Sequence, residues 1–338
     1  MTSTTGDLIR GRGNAGLMRW LRQNGWTAGV WLLLLVLVVW YASLIPVFGE
    51  FQIASIVKNS LPTTYLAVSQ AVVIISGGLD LGVGAMMVLA NSISALYMEG
   101  QGLGITLLIA AAVVAGAAAL NAIVGWVIVT SRVPDIIVTL ATLFIFSGIA
   151  VMVLPSPGGG TSDGFRWLFT GSTSGISANY WPSVIALGVP VAILALWLRR
   201  TRGGLSLYAV GSDHNAAFLS GVNTGRAKIM AYAVGGAFAA LAGLAITAIT
   251  ANGDSRFVNA SNGTLNSVAA VVLGGIALTG GVGSVIGAVA AGIILFILNP
   301  ILSTVGINPN TSQVIRGALI IAVMMVAGLL ELRRRRAE

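Results

Sequence analysis

The chain has 338 residues, of which 56% are hydrophobic and only 8% are charged. Soluble domains carry about 25% charged residues, so this composition indicates an integral membrane protein. The net charge of +8 comes mostly from arginines at the ends of apolar segments, which argues against a nucleic-acid-binding face. With no cysteine and a single histidine, His214, a zinc site, thiol catalysis and disulfide bonds are all but excluded.

Residues 1–27 are polar and arginine-containing, and they precede an apolar run at 28–47. The run is too long for the core of a signal peptide, and no small-residue cleavage site follows it. We therefore predict a cytoplasmic N-terminal tail at 1–27 followed by the first transmembrane helix.

Nine further apolar blocks follow, each near the length that crosses a hydrocarbon core. They lie at 53–76, 80–99, 104–129, 134–154, 181–199, 227–250, 265–280, 283–305 and 312–331. Together with the first run they predict an all-α integral membrane protein of about ten transmembrane helices, with a transmembrane domain at 28–332. An even number of spans places both termini on one side, and the basic tail at 333–338 indicates that this side is cytoplasmic.

Two loops on the predicted outer side, 155–180 and 251–263, are rich in glycine, serine and asparagine. The first carries Phe165, Trp167 and Phe169 at alternating positions. This pattern favours the aromatic belt at the membrane interface, with the mouth of a solute pathway as the alternative.

The segment 199–228 is the one long polar, basic insert between two apolar blocks, and its arginines predict a cytoplasmic location. Inside it, Ser212 or Asp213 suits the start of a short helix, and Gly221 suits the left-handed residue that ends one. A helix this short needs a surface to dock on. The apolar side chains that it offers are Phe218, Leu219 and Val222. The alternative is a plain loop whose apolar residues lie against the membrane.

The stretch Gly77–Gly84 places glycines and one carboxylate, Asp80, in an otherwise apolar region. Backbone that leaves a helix at membrane depth persists only against protein or a water-filled path. Asp80 is therefore interpreted either as a helix cap at a cytoplasmic turn or as a pathway or gate residue. A weak echo at Gly274–Gly283 has no acid, and either a parallel duplication or chance likeness explains it. Small residues at every fourth position predict close helix packing there: Gly283, Gly287 and Ala291.

Four stretches, taken together, resemble the ribose-type permease subunits of bacterial ATP-binding-cassette (ABC) importers. They are GGLDLGVGA at 77–85, TLATLFIFSG at 139–148, YAVGSDHNAAFLSGV at 208–222 and AAVVLGGIALTGGVGSVIGA at 269–288. The resemblance runs from about residue 50 to the end of the last helix. It implies an inner-membrane subunit with the vitamin-B12-importer-like (type II) ABC permease fold.

The resemblance also implies partners. The subunit would pair with a second copy or a paralogue, bind a cytoplasmic ATPase, and receive a sugar or related polyol from a periplasmic or lipid-anchored binding protein. It implies no catalytic residue, no metal and no cofactor in this chain, because ATP and Mg²⁺ would belong to the partner ATPase.

The insert matches the ATPase-contacting loop of that family. The residues expected to couple to the ATPase are Ser212, Asp213, His214, Asn215, Ala216, Ala217, Phe218, Leu219, Ser220 and Gly221. The residues expected at the substrate pathway or gate are Gly77, Gly78, Asp80 and Asn266. Many relatives have Arg at position 218, Ser at position 82 and acidic residues near Thr264 and Asn266, so these departures leave the ATPase interface and the substrate open.

Two other classes of function compete with this interpretation. An ion-coupled secondary transporter, or a channel for a small neutral solute, usually needs buried carboxylates, and only Asp80 and Asp135 approach membrane depth. A membrane-embedded enzyme would need a nucleophile or metal ligands that the sequence does not offer. Neither lysine, Lys58 or Lys228, follows a glycine as in a phosphate-binding loop, so ATP is not expected to bind here.

Overall fold

The computed structural model describes residues 5–173, 178–308, 310–315, 317–318, 321 and 325, with side chains from residue 25 onward except at 257. All the regular secondary structure in this part of the chain is helical. The helices are α1 (Thr5–Leu44), α2 (Glu50–Ile75), α3 (Val83–Met98), α4 (Leu103–Ser131), α5 (Asp135–Val153), α6 (Asp163–Thr170), α7 (Trp181–Arg200), α8 (Arg202–Ser212), α9 (His214–Leu219), α10 (Thr224–Thr250), α11 (Phe257–Leu273) and α12 (Val285–Thr304).

Six stretches of these helices are long and apolar enough to cross a membrane. They are Gly25–Leu44, Leu103–Ser131, Asp135–Val153, Trp181–Arg200, Thr224–Thr250 and Val285–Thr304. Large apolar side chains such as Leu35, Leu108 and Met152 point outward from the bundle, where hydrocarbon would surround them without cost. The protein is therefore an all-helical, multi-pass integral membrane protein, as its composition predicts.

Helix α2 lies in the middle of the bundle, packed against α10 and α12, and it is buried almost throughout from Ser60 to Ile75. Because it does not face lipid, it tolerates polar side chains that find partners inside the protein. The hydroxyl of Ser69, for example, donates a hydrogen bond to the carbonyl of Gly235 at 2.6 Å. The core of the protein is thus built around a helix that is less apolar than those surrounding it.

The apolar blocks predicted from the sequence coincide with described helices, with two corrections. Helix α1 begins at Thr5, well before the apolar run at 28–47, so the polar segment ahead of that run is helical from Thr5 onward. Helix α11 occupies Phe257–Leu273 rather than 265–280. The predicted C-terminal end at residue 280 was too late, because Gly275 has a φ of 81° and terminates the helix.

The end of the chain is largely beyond what the structure describes. Residues 310–315 are helical, which agrees with the start of the tenth predicted block at 312–331. Most of that block, and the basic tail at 333–338, lie outside the described residues.

The aromatic residues of the first outer loop lie on a helix, α6, rather than on an extended segment. Phe165 is buried and its ring centroid lies 5.0 Å from that of Phe169, whereas Trp167 is exposed. Only Trp167 is therefore available to an interfacial belt, and Phe165 is a core residue.

The loops gather at two ends of the bundle. At one end, called the insert end, α8 and α9 lie beside loop 76–82 and loop 274–284. At the opposite end, the backbones of Gly158 and Gly253 exchange two hydrogen bonds of 3.2 and 2.8 Å. This pairing brings the two predicted outer loops together and away from the insert, as the alternation of spans predicts.

Candidate functional site

The polar insert folds into two helices, of which the sequence predicted only the second, α9. Asp213 is its N-terminal cap: one carboxylate oxygen accepts hydrogen bonds from the backbone N–H groups of Asn215 and Ala216 at 2.8 and 2.9 Å. Gly221 follows the helix with a φ of 82°, the left-handed conformation that ends it. The capping prediction is thus confirmed, with Asp213 rather than Ser212 as the cap.

Helix α9 points its two large apolar side chains away from the protein. Phe218 is 66% exposed and Leu219 is 85% exposed, whereas Ala217 between them and the bundle is buried. Apart from Ala217, the side chains expected to couple to an ATPase are exposed or, at Gly221, absent. A capped helix that presents two apolar side chains offers a surface that a partner protein can cover.

Helix α8 contacts the interior of the bundle where four glycines meet, a cluster that we call the glycine joint. Gly211 belongs to α8, and Gly77, Gly280 and Gly281 belong to the two loops that it contacts. The N–H of Gly281 donates to the carbonyl of Ile75 at 2.9 Å. A Cβ atom at Gly211 would overlap that same carbonyl oxygen, and one at Gly280 would lie 2.8 Å from the Cα atom of Gly77. Three segments therefore meet backbone to backbone: α8, the end of α2, and the loop 274–284 that follows α11.

The two glycine-rich stretches end their helices in the same way. Gly77 and Gly275 both have a positive φ, of 77° and 81°. The N–H groups of the residues that follow, Gly78 and Ile276, reach back to a carbonyl of the preceding helical turn at 3.0 and 3.1 Å. The echo in the sequence thus corresponds to a shared helix-ending geometry.

Side chains from other helices satisfy the backbone of loop 76–82. The hydroxyl of Tyr232 on α10 donates to the carbonyl of Leu79 at 3.2 Å. The hydroxyl of Thr264 on α11 donates to the carbonyl of Leu81 at 3.0 Å. These partners for the carbonyls of Leu79 and Leu81 stabilise the break in the helix inside the bundle.

Asp80 is buried within this loop, with 2% of its surface exposed. Its carboxylate accepts a hydrogen bond from the N–H of Gly82 at 2.7 Å. The carboxamide of Gln70, oriented to satisfy both groups, pairs with the backbone N–H and C=O of Asp80 at 3.3 and 3.0 Å. The carboxylate thus closes a turn just ahead of α3, whose N-cap residue is Gly82, and both the cap and the gate stay predictions for Asp80.

A network of hydrogen bonds and one ion pair links loop 76–82 to α5 and α10. The Nζ of Lys228 lies 2.7 Å from one carboxylate oxygen of Asp135, and the hydroxyl of Tyr232 donates to the other at 3.0 Å. A Cβ atom at Gly78 would lie 2.8 Å from that second oxygen. Gly78 is therefore needed for close approach, and the loop is held by charge as well as by packing.

A cleft of about 390 Å³ opens at the opposite end of the bundle, between α2, α3, α10 and α11. We call it the amide cleft, because asparagine is its commonest side chain: Asn91, Asn252, Asn259, Asn262 and Asn266. Leu66, Met87 and Val88 provide an apolar wall. Its size and its combination of apolar surface with a few polar groups are those of a small-molecule site.

The structure separates the residues that were predicted together for the pathway or gate. Gly77, Gly78 and Asp80 lie in the loop at the insert end, whereas Asn266 lines the amide cleft. Sequence reasoning missed Asn259 and Asn262. Their spacing to Asn266 is helical and would have placed all three on one face, but the predicted helix began only at residue 265.

Comparison with known proteins confirms the resemblance seen in the sequence. The family model described as "Branched-chain amino acid transport system / permease component" matches residues 52–324. The chain is 30% identical over 302 residues to the ribose import permease protein of Escherichia coli (strain K12), covering 87% of this chain and 91% of the relative. It is 31% identical over 310 residues to the ribose import permease protein of Bacillus subtilis (strain 168), covering 88% and 91%.

The chain is also 30% identical over 333 residues to the xylose transport system permease protein of Escherichia coli (strain K12), covering 81% of this chain and 84% of the relative. No solved structure matches the chain. The family match covers well over half of the chain, and these relatives match it over most of their length. The chain therefore belongs to the family of permease components of ABC importers, in which ATP hydrolysis resides on a separate subunit.

Proposed function

We propose that this chain is the membrane-spanning permease subunit through which a bacterial ABC importer moves a sugar or related polyol across the inner membrane. The observation that carries the proposal is helix α9, which is capped, exposes Phe218 and Leu219, and is joined through α8 to the end of α2 and to loop 274–284. Relatives named for ribose and xylose support the class of solute. Family membership weighs against the ion-coupled carrier or channel considered from the sequence.

We further propose the arrangement in the membrane. The domain at 28–332 would contain about ten spans in the vitamin-B12-importer-like fold, with the insert at 199–228 and both tails, 1–27 and 333–338, in the cytoplasm. Arginines at both edges of the insert support this orientation, because basic loops stay inside. The subunit would work as a pair, with a binding protein on the outer side.

Residues 212–221 would dock in a groove on the cytoplasmic ATPase. A docking element works through a few side chains that become fully buried, and Phe218 and Leu219 are the large apolar ones here. Motion of the ATPase would reach the bundle through the glycine joint, where α8 touches the end of α2 and loop 274–284 without intervening side chains. ATP and Mg²⁺ would be held by that partner.

The amide cleft favours a neutral polyol over the amino acid for which the family is named. A zwitterionic solute needs a free charge of each sign. The one carboxylate among the described residues of the cleft, Asp254, is engaged by the guanidinium of Arg256. Neutral amides remain, and these suit hydroxyl groups.

The experiment that tests the proposal reconstitutes the permease with its partner ATPase and binding protein and replaces Leu219→Glu. A carboxylate buried in an apolar contact lacks a partner, so we expect the ATPase to be lost on co-purification and solute-stimulated ATP hydrolysis to disappear. The matched control is Val282→Glu, which changes another exposed apolar residue, 63% exposed, at the same end but outside the insert. This control is expected to retain both activities.

Wild-type co-purification and hydrolysis in Leu219→Glu would remove α9 from the mechanism. Loss of both activities in Val282→Glu as well would mean that any new charge at this end is damaging, and that the insert has no special role. Both variants are expected to insert normally, because neither side chain contacts the apolar core.

A further inference from the structure

The amide cleft has features of a built site rather than of a packing gap. Asn91 stabilises the rim of the cleft with three hydrogen bonds. Its carboxamide nitrogen donates to the hydroxyl of Thr247 at 2.9 Å and to the carbonyl of Asn252 at 3.1 Å. Its carboxamide oxygen accepts from the N–H of Asp254 at 2.9 Å. Asn91 is buried and makes the hydrogen bonds that hold the loop between α10 and α11 against α3. The rim is thereby fixed before any solute arrives, which lowers the entropic cost of binding.

The wall that α11 contributes carries a row of carboxamides. Asn259, Asn262 and Asn266 lie three and four residues apart, so they share one face of the helix over about 10 Å of its length. Asn259 hydrogen-bonds to Asp254. Among the residues that the structure describes, Asn262 and Asn266 have no hydrogen-bond partner, so their donors and acceptors are available to a ligand.

The chemistry of the cleft selects for uncharged hydroxyl groups. Each free carboxamide supplies two N–H donors and an oxygen with two lone pairs, which complements hydroxyl groups that both donate and accept. Leu66 and Met87 on the facing wall offer apolar surface to the C–H groups of such a solute. Asp254 adds no free charge, since Arg256 binds both of its oxygens.

Helices α3 and α11 pack closely beside the cleft. Gly263 lines the cleft, and a Cβ atom there would lie 3.1 Å from the side chains of both Leu66 and Met87. At Gly84, on the first turn of α3, a Cβ atom would overlap the carbonyl oxygen of Ala260. On the same helix, Thr264 hydrogen-bonds to the carbonyl of Leu81, so the helix that carries the carboxamide row also contacts loop 76–82.

We propose that the amide cleft is a binding station for a neutral polyhydroxylated solute within the permease itself, with Asn262 and Asn266 as its direct hydrogen-bonding groups. The proposal rests on the proposed function and adds to it a solute site in this chain, separate from the binding protein. A solute released at the outer face is held on α11 on its way through the permease.

The test uses the natural absence of cysteine in this chain. Single variants Asn262→Cys, Asn266→Cys and Leu265→Cys are made in the full permease in liposomes and treated with a small thiol reagent from the outer side. D-ribose, D-xylose, D-galactose and L-leucine serve as probes at increasing concentration. Leu265 is the matched control, an exposed neighbour on α11 that does not line the cleft.

We expect at least one of the sugars to slow modification of Asn262→Cys and Asn266→Cys several-fold and to leave Leu265→Cys unchanged. Protection at all three positions would indicate a general effect on the helix and would overturn the proposal, as would protection by L-leucine alone. No protection by any probe would also overturn it.

Sugar uptake by the wild-type complex is measured in parallel, so that failure of the binding station can be distinguished from failure of the proposed function. Sugar uptake without protection at the cleft would refute the binding station and leave the permease intact. Failure of the wild-type complex to take up any sugar would instead refute the proposed function. Since Asn262 and Asn266 make no hydrogen bond to the described protein, their replacement is not expected to impair folding.

Discussion

The ammonium group of Lys228, on the first turns of α10, lies 2.7 Å from the carboxylate of Asp135, the first residue of α5. Both side chains are mostly shielded from solvent, with 21% and 13% exposed. Tyr232, one turn beyond Lys228, places its single hydroxyl hydrogen between the same carboxylate and the carbonyl of Leu79, which share it. One carboxylate thus ties two membrane helices to the loop that interrupts the bundle.

Replacing Lys228→Met is expected to destabilise the permease by about 2 kcal/mol, because it leaves a shielded carboxylate without its counter-charge. Thermal denaturation of the purified protein measures this loss. The control Arg226→Met removes an exposed charge two residues away and is expected to change little. Equal stability of the two variants would show that the pair contributes nothing.

Replacing Asp80→Asn is expected to preserve most uptake and stability. The asparagine oxygen still accepts the hydrogen bond from Gly82, whereas Asp80→Leu loses it and is expected to cost about 2 kcal/mol. Solute uptake and thermal denaturation are measured for both variants. A stable Asp80→Asn variant that fails to transport would assign Asp80 to the gate instead.

Replacing Gly211→Ala is expected to abolish uptake while the ATPase still co-purifies. The new methyl group would overlap the carbonyl of Ile75 and push α8 off the glycine joint, but α9 and its exposed side chains are unchanged. Gly188→Ala is the matched control: it lies in helix α7 with open space around it, where alanine is favoured by up to about 1 kcal/mol. Normal uptake in Gly211→Ala would show that the joint does not transmit motion.

Cysteine labelling tests the orientation. Thr173→Cys, exposed at the opposite end, is expected to react in intact cells, whereas Leu219→Cys reacts only after permeabilisation. The reverse pattern would invert the topology proposed above.

The ion pair between Asp254 and Arg256 at the rim of the cleft predicts how uptake depends on pH. Hydrogen bonds from Arg256 hold the pKa of Asp254 below its ordinary value of 3.8. A carboxyl with a lowered pKa stabilises the folded state above the unfolded pKa, and this contribution disappears only as the pH falls through the lower, folded value. Uptake measured between pH 5 and 8 is therefore expected to show no titration step from Asp254, and a step in wild type that vanishes in Asp254→Asn would contradict this.

Local features were readable from the sequence because their causes lie within a few residues. Asp213 and Gly221 bound α9 through hydrogen bonds and a backbone conformation that involve only neighbouring residues. Six of the predicted apolar blocks correspond to described helices that are long and apolar enough to cross a membrane, because the length and composition of a single segment set this property. Motifs within the insert and at Gly77–Gly84 were enough to indicate the family.

Contacts between distant parts of the chain were decided by helix packing. Lys228 and Asp135 are 93 residues apart, and no periodicity in the sequence pairs them. The glycine joint and the amide cleft each combine elements that meet only once α2 lies at the centre of the bundle. Asn266 was expected at the pathway, but its neighbours on α11 joined it only when the helix proved to begin at Phe257. Composition determines that these helices enter a membrane, whereas the close approach of their backbones at glycine determines which polar side chains face one another.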